Sequence, residues 1–329
     1  LHLCWSNYFD DYPTIDRADC AWSALSASTA LMKLLGWTVS SDPEKCRPFN
    51  AKFDALGVTF DLGLTHAGKF SILNKRDRII SIVKRIEECL EGDHVSRGDC
   101  AELHGKMVFA CSFVYGRAAA HPVAVISRAQ LSTRSRVEGD FAAALRWLSQ
   151  YLPAAAPREV DCLDQRPPVL LFTDGAAEPS DGGKVVVTIG GVLFVPGQRP
   201  RFFRARAPDE LVTAWLGDGG SQPIHQGELL PVLVAKRLWG ERLKNHLVIA
   251  WVDNESAREC LVKCTSSNPC SMNILDGICR LELICPSRTW YARTPSPGNV
   301  ADEPSRLSDI FMKALGAIED EVPTGALVP

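Results

Sequence analysis

The sequence predicts an α/β fold in which a mixed five-stranded sheet with flanking helices follows a partial α+β segment and a helical region. Two observations lead to this prediction. Beyond residue 168, apolar runs of strand length alternate with segments of helical spacing. The first three runs are separated by hairpin-length gaps and the later ones by helices, which is typical of a mixed sheet covered by helices.

The N-terminal half is predicted to contain two blocks. A helix over 21–36 that ends at Gly36 and a short strand over 56–62 indicate a small α+β domain in 1–63. The apolar spacing then becomes helical, which predicts a mainly helical domain in 64–153.

The C-terminal half is predicted to hold the sheet. Segment 154–167 is rich in proline and charge, has no hydrophobic period, and is interpreted as a linker. The sheet domain spans 168–316, and 317–329 form a C-terminal tail. Its strands are expected at 168–174, 184–196, 201–206, 246–253 and 289–293. Its helices are expected at 226–239, from Asn254, near 271–285 and from about Ala301.

The composition is that of an ordinary globular protein. The 329 residues are 46% hydrophobic and 23% charged, with 36 Lys and Arg against 39 Asp and Glu, which excludes disordered, collagen-like and coiled-coil classes. Only residues 64–150 carry a basic excess, 13 Lys or Arg against 9 Asp or Glu. Such an excess is compatible with contacts to a phosphate backbone and also with a solvated helix face.

The chain lacks targeting and membrane signals. No apolar run approaches the roughly 20 residues of a membrane span, and the first residues do not have the order of a signal peptide. We therefore expect no membrane partner and an intracellular location, cytoplasmic or nuclear. The 12 cysteines include no CxxC pair, which favours free thiols over disulfides or a zinc site. Because the sequence does not begin with Met, we expect a piece of a longer protein.

Four carboxylates stand at the predicted ends of elements. Asp174 and Asp253 close two apolar strands, Glu228 lies in the first turn of a helix, and Asp302 opens the last helix. In open α/β sheets, sites form at the carboxyl ends of strands. Taken singly, each carboxylate has a structural explanation as a turn residue, a helix cap or a group favoured by the helix dipole.

As a set, these four carboxylates indicate metal chemistry. If they converge, they cannot all stay ionised without cations. Oxygen ligands without a supporting His or Cys cluster suit Mg²⁺ or Mn²⁺, and two such ions about 3.5–4 Å apart promote phosphodiester hydrolysis. The predicted chemistry is that of a nuclease.

Four motifs resemble those of retroelement ribonuclease H domains in order, spacing and predicted context. They are FTDGA (172–176), GELLPVLVA (227–235), WVDNESA (251–257) and PSPGNVADEPSR (295–306). The resemblance implies a type 1 ribonuclease H-like fold over 168–316 that cuts the RNA strand of RNA–DNA hybrids. The residues that it implies as ligands of two Mg²⁺ (or Mn²⁺) ions are Asp174, Glu228, Asp253 and Asp302.

The last motif differs from the family pattern in one respect. Many relatives carry a His in the loop before the final Asp, whereas 291–301 contains none, and this departure bears on the rate more than on the reaction. Asn299 and Arg306 match recurrent positions around that Asp. We predict that they contact the nucleic acid, with helix capping and anchoring as the alternative.

A second resemblance lies near the N-terminus, where YFDDY is followed by LLGW, SSDPEKCRPF and FDALGVTFDL. This series resembles motifs C, D and E of a reverse transcriptase palm. It implies that Asp10 and Asp11 bind a metal ion and that Lys45 approaches the pyrophosphate, whereas an isolated Asp pair is usually a surface turn. Because one Asp pair cannot supply ligands for both ions, we expect no polymerase activity from this chain alone.

Residues 64–153 occupy the place of the thumb and connection in that family. The candidate phosphate contacts there are Lys75, Arg76, Arg78, Lys84 and Arg85. The alternative interpretation is a solvated face over an apolar helix core.

Together, the two resemblances favour part of a retrotransposon reverse transcriptase whose remaining activity is hydrolysis of RNA in RNA–DNA hybrids. The expected partners are the hybrid and, in a full-length product, an upstream polymerase segment. Two alternatives stay open. One is a catalytically inactive or domesticated nucleic-acid-binding remnant, and the other is an unrelated metal-dependent phosphatase or exonuclease on a similar sheet.

Overall fold

The computed structural model describes residues 4–5, 12–42, 46, 48–111, 117–179, 183–217 and 223–329. The chain divides into two compact units. The N-terminal unit comprises Leu1–Gly116, Ser135–Val137 and Leu145–Asp164, and the C-terminal unit comprises Arg117–Arg134, Glu138–Ala144 and Gln165–Pro329. Within the described ranges, no helix combines the length and the apolar character that a bilayer crossing requires.

The N-terminal unit is built around a small antiparallel sheet. The elements are, in chain order, β1 (Cys4–Trp5), β2 (Thr14–Ile15), α1 (Ala21–Leu34), β3 (Lys52–Ala55), β4 (Val58–Asp61), β5 (Lys69–Asn74), α2 (Arg76–Glu91), β6 (His94–Ser96) and α3 (Arg97–Ala110). The chain continues through α4 (Ala120–Ala129), β7 (Arg134–Arg136), α5 (Gly139–Ala154) and β8 (Arg158–Asp161). Of these, α4, the first residue of β7 and the part of α5 up to Ala144 belong to the C-terminal unit. The sheet has the order β3-β4-β5-β8, and all its neighbours are antiparallel.

The local expectations for this unit are met in part. The helix expected over 21–36 is present as α1, and Gly36 follows it with a left-handed φ of 82°, which Gly adopts without strain. However, β8 lies in the segment interpreted as a linker, where it pairs with β5. Its sequence, REVD, has no apolar alternation and therefore gave no signal of a strand. Charged residues are tolerated at this position because β8 is an edge strand that is paired on one side only.

The C-terminal unit carries the larger sheet. Its elements are β9 (Val169–Pro179), β10 (Val185–Phe194), β11 (Arg201–Arg206), α6 (Asp209–Gly217), α7 (Ile224–Leu243), β12 (Leu247–Val252), α8 (Glu255–Lys263), α9 (Pro269–Ile284), β13 (Arg288–Arg293), α10 (Asp302–Ser305), α11 (Ile310–Ala314) and β14 (Ile318–Glu319). The sheet order is β13-β12-β9-β10-β11-β14. Strands β13, β12 and β9 are parallel, β10 is antiparallel to both neighbours, and β14 is parallel to β11.

The predicted mixed sheet with flanking helices is confirmed. The five long strands match the five expected strands, and the two-residue β14 adds a sixth from the segment expected to be a tail. A strand of two residues, of which only Ile318 is apolar, is too short to be predicted from periodicity, so only the pairing with β11 reveals it.

Helix α7 is the centre of the core of this unit. It packs against β9, β10 and α9, and its fully buried residues include Leu229, Leu230, Val232, Leu233, Val234 and Ala235. The middle of α7, residues 229–235, is apolar on all sides, and such a stretch of helix is typically buried on all sides. A second apolar cluster contains Val192, Phe202, Ala301 and Met312, so α10 and α11 extend the core beyond the part that α7 covers.

One pair of cysteines differs from the expectation of free thiols. Cys264, at the end of α8, forms a disulfide with Cys279 of α9, and both are buried. The free-thiol prediction is wrong for this pair because a separation of 15 residues carries no pairing motif, and only the packing of α8 and α9 brings the two sulfur atoms together.

Candidate active site

Asp174 and Asp253 lie side by side where the parallel part of the sheet ends. Strand β12 pairs with β9 as far as Trp251 opposite Phe172, and the same register continued by two residues brings Asp253 alongside Asp174. Strand β9 does not end at Asp174, as the sequence suggested, but continues along β10 to Pro179. Asp174 therefore lies inside one strand at the point where its parallel neighbour stops.

Glu228 enters the site from α7. Because the helix begins at Ile224, Glu228 lies in the second turn, and the helix-dipole explanation for a first-turn carboxylate does not apply. A Cβ on Gly175 would lie 2.3 Å from the Gly227 carbonyl oxygen, so a glycine at position 175 allows β9 and α7 to come this close. Pro231, four residues after Gly227, has no N–H to bind that carbonyl.

The capping explanations for the two other carboxylates do not hold either. Asn254 caps α8, since its side chain accepts a hydrogen bond from the Ala257 N–H at 3.0 Å. Ala301 occupies the N-cap of α10, so Asp302 is the first residue inside that helix. Asp253 and Asp302 are therefore not N-cap residues.

Asp174, Glu228 and Asp253 form a compact carboxylate cluster. One oxygen atom of each lies within 4.8 Å of the others, and Asp174 and Glu228 are only 4% and 5% exposed. Burial, reinforced by the charges of Asp174 and Asp253, raises the pKa of Glu228 to about 9. Burial also raises the pKa of Asp174 to about 6, although the hydrogen bond from Ser305 opposes this rise.

This carboxylate cluster fits a hard divalent cation. Glu228 Oε2 and Asp253 Oδ1 are buried and have no hydrogen-bond partner among the described residues, whereas nearly all buried polar atoms in proteins have one. A donor set made only of carboxylate oxygens is the set that Mg²⁺ and Mn²⁺ prefer. A cation there would satisfy both oxygens and offset the repulsion among the three charges.

Asp302 lies at the rim of the cluster. Its side chain is 45% exposed, and Arg306 Nε donates to Asp302 Oδ1 at 3.2 Å. Arg306 also donates from Nη1 to Glu178 Oε1 at 3.0 Å. The charge of Asp302 nevertheless contributes to the raised pKa of Asp174. The structure thus brings three of the four predicted carboxylates together and places the fourth beside them.

Three polar side chains that follow β13 hold these carboxylates. Asn299 Nδ2 donates to Asp174 Oδ1 at 3.3 Å, and the Ser305 hydroxyl donates to Asp174 Oδ2. Ser296 Oγ donates to Asp253 Oδ2 at 3.0 Å. Asn299 is itself 5% exposed, so its amide acts inside the site.

Ser296 and Ser305 were not among the residues predicted for the site. Ser305 follows Asp302 by three residues, a spacing that places both on neighbouring positions of one helix face and that indicates Ser305 as a site residue. Ser296 lies in the loop between β13 and α10, where no periodicity indicates which side chain turns inward.

The metal and pyrophosphate contacts predicted at Asp10, Asp11 and Lys45 lie outside the described residues. Of the five predicted phosphate contacts, Arg76 and Lys84 are exposed, and the other three have contacts within the N-terminal unit. These contacts are Asp54 for Lys75, the Gly57 carbonyl and the Phe109 ring for Arg78, and Glu88 and Asp99 for Arg85.

Comparisons with known proteins give remote structural similarity only. No family model matches the chain, and no curated protein matches it. Among solved structures, LC11 ribonuclease H1, isolated from compost and bound to an RNA/DNA hybrid, is 15% identical over 45% of this chain and 99% of its own, with a TM-score of 0.30. Ribonuclease H1 of Halobacterium salinarum NRC-1 is 15% identical over 44% and 98%, with a TM-score of 0.28.

A viral structure aligns over more of the chain. The foamy viral protease-reverse transcriptase bound to an RNA/DNA hybrid is 9% identical over 93% of this chain and 59% of its own, with a TM-score of 0.34. These identities and scores are too low to assign the chain to a family, so the functional argument rests on the site itself.

Proposed function

We propose that the C-terminal unit is a ribonuclease H-like, metal-dependent nuclease that hydrolyses the RNA strand of RNA–DNA hybrids. One observation carries this proposal: the buried carboxylates of Asp174 and Glu228 converge with the half-buried carboxylate of Asp253, and two oxygens of this cluster are buried without a partner among the described residues. The order and spacing of the four motifs around Asp174, Glu228, Asp253 and Asp302 support the choice of substrate.

The residues have separate roles in this proposal. Asp174, Glu228 and Asp253 hold Mg²⁺ or Mn²⁺, and Asp302 completes the ligand set for a second ion from the rim. When bound, such ions activate a water molecule and stabilise the departing 3′-oxygen of a phosphodiester. Arg306 restrains the Asp302 carboxylate through the 3.2 Å hydrogen bond and keeps it oriented at the edge of the cluster.

The hybrid is recognised by its shape and by the 2′-hydroxyl groups of the RNA strand, because a nuclease of this type reads no base sequence. Asn299 and Arg306, which lie on either side of Asp302 in the sequence, are the proposed contacts to the nucleic acid. We also propose that 1–63 is the end of a reverse transcriptase palm and 64–153 its thumb or connection, within a retrotransposon product. A remnant that binds nucleic acid without cutting it is the alternative.

Cleavage of a labelled RNA–DNA hybrid by the purified chain tests the proposal. We expect cleavage in Mg²⁺ or Mn²⁺, none in excess chelator, and a loss of at least about 100-fold in Asp174→Asn, because the substitution removes a ligand charge from the cluster. Asp209→Asn makes the same chemical change at an exposed residue of α6 and should leave the rate unchanged.

The substrates included beside the hybrid separate the alternatives. Binding of the hybrid without cleavage in either metal ion favours the binding-only remnant. Cleavage of single-stranded RNA or of a phosphomonoester at the rate of the hybrid favours an unrelated exonuclease or phosphatase. Equal rates for Asp174→Asn and the wild type would remove the assigned site.

A further inference from the structure

Ser305 carries a fully buried hydroxyl that contacts two of the segments bearing candidate ligands, β9 and α10. Its Oγ donates to Asp174 Oδ2 and lies 2.8 Å from the main-chain carbonyl of Asp302. A hydroxyl has one proton, so it serves these two acceptors in turn. A hydrogen bond to a carboxylate is stronger than one to a main-chain carbonyl, so the bond to Asp174 restrains the Asp174 side chain.

Gly190 explains how Ser305 reaches Asp174. Gly190 lies directly opposite Asp174 in the antiparallel pairing of β9 and β10, so a side chain there would share the face of the sheet that Asp174 occupies. A Cβ on Gly190 would lie 2.3 Å from the Ser305 nitrogen and 2.7 Å from the Pro304 carbonyl carbon. Helix α10 therefore fills the space that any other residue at position 190 would take.

We propose that Ser305, admitted by Gly190, is a positioning residue that holds the Asp174 carboxylate in the orientation that binds the divalent cation. The inference rests on the proposed function for the identity of the ligand. Asn299 binds the other oxygen of Asp174, so the carboxylate is fixed at both ends by donors of one segment. Hydrogen-bond partners of metal ligands typically change metal affinity by 10–100-fold when they are removed.

Calorimetric titration of the full chain with Mn²⁺ tests this inference. Ser305→Ala removes the donor, and Ser305→Cys retains a side chain of similar shape with only a weak donor. We expect each variant to bind Mn²⁺ about tenfold more weakly than the wild type. The matched control is Ser308→Ala, three residues after Ser305, which removes a hydroxyl that donates to Glu303. This variant should bind Mn²⁺ as the wild type does.

A purely structural role for Ser305 would give a different result. We expect urea unfolding of the metal-free variants to stay close to that of the wild type, the KM for the hybrid to be unchanged, and kcat to recover at saturating Mn²⁺. Wild-type affinity in Ser305→Ala, or recovery of affinity in Ser305→Cys, would overturn the inference. A wild-type chain that binds Mn²⁺ but cuts no hybrid contradicts the proposed function alone, whereas one that binds no Mn²⁺ contradicts both.

Discussion

Glu228 and Glu282 are both largely buried carboxylates of the C-terminal unit, but their surroundings are opposite. Glu228 is 5% exposed and lies among other acidic side chains, and burial together with their charges raises its pKa to about 9. The Glu282 side chain is 14% exposed. Arg117 Nε donates to its Oε2 at 3.2 Å, and Lys236 Nζ lies 3.0 Å from its Oε1.

The pKa of Glu282 shows the effect of these two cations. Burial acts to raise it, but the charges and hydrogen bonds of Lys236 and Arg117 outweigh burial and lower the pKa below the usual value of a glutamate. Arg117 also donates to the Tyr291 hydroxyl at 3.1 Å and lies over its ring. The fold thus places positive charges beside Glu282, which supports the structure, and, within the described part of the chain, places none beside Glu228, which is available to a ligand.

The largest expected effect is on the paired carboxylate. Glu282→Gln leaves Arg117 and Lys236 buried without a counter-charge and should lower the free energy of unfolding of the chain by about 3–5 kcal/mol at pH 7 in urea denaturation. Glu259→Gln removes an exposed carboxylate that pairs with Lys263 and should change stability little.

The pH dependence of this difference has a defined sign. Because the folded pKa of Glu282 lies below its unfolded value, its contribution is fully present above the unfolded pKa. The contribution is lost as the pH falls through the folded pKa, so the difference between wild type and Glu282→Gln should shrink on acidification. If the difference in the free energy of unfolding between the two proteins stayed constant down to pH 3, Glu282 would not be the ionised partner of Arg117 and Lys236.

The next effect is stabilisation by a cation. A ligand that binds only the folded state stabilises it by about 2.7 kcal/mol at 100 times its Kd, so saturating Mn²⁺ should raise the thermal midpoint of the wild type by several degrees. Glu228→Gln should show much less of this shift because it lacks one ligand charge. Equal shifts in both proteins would place the Mn²⁺ elsewhere.

The smallest effect concerns the metal-free site. Near pH 8, Glu228 of the folded metal-free chain keeps its proton because its pKa is raised to about 9, and keeping that proton costs folding free energy. Glu228→Gln is uncharged without taking up a proton and should make the metal-free chain about 2 kcal/mol more stable than the wild type at this pH. The folded-state pKa of Glu228 is raised to about 9, above the ordinary value of a glutamate. At a pH between these two values, the folded state holds a proton that the unfolded state has lost. The free energy of unfolding of the wild type therefore falls as the pH rises through this range. We expect the advantage of the variant, measured by urea denaturation with chelator present, to grow from pH 5 to pH 9.

The candidate carboxylates were predictable because motif order and strand ends are local features of the chain. Asp174, Glu228 and Asp253 were each expected near the end of an element, and the parallel register of β9 and β12 brings the two aspartates together. The detailed positions were not predictable, since Asp174 lies within β9 and Glu228 lies in the second turn of α7. Both depend on where a neighbouring element stops or begins.

The contacts that support the site join residues that are far apart in the chain. Ser305 reaches Asp174 across 131 residues of chain, and it does so because Gly190 on a third element has no Cβ. The pairing of Glu282 with Arg117 spans 165 residues and joins an arginine that precedes α4 to α9. No pattern within a window of the sequence relates residues so far apart.

By itself, the sequence determined the mixed sheet, the helix expected at 226–239 and the four candidate carboxylates, because hydrophobic periodicity and residue chemistry act over short stretches of chain. The tertiary structure alone decided which of the buried carboxylates receive counter-charges and which are left facing one another. That decision depends on packing between distant elements, since the pKa and the hydrogen-bond partners of a buried group are set by whatever the fold places within a few ångströms of it.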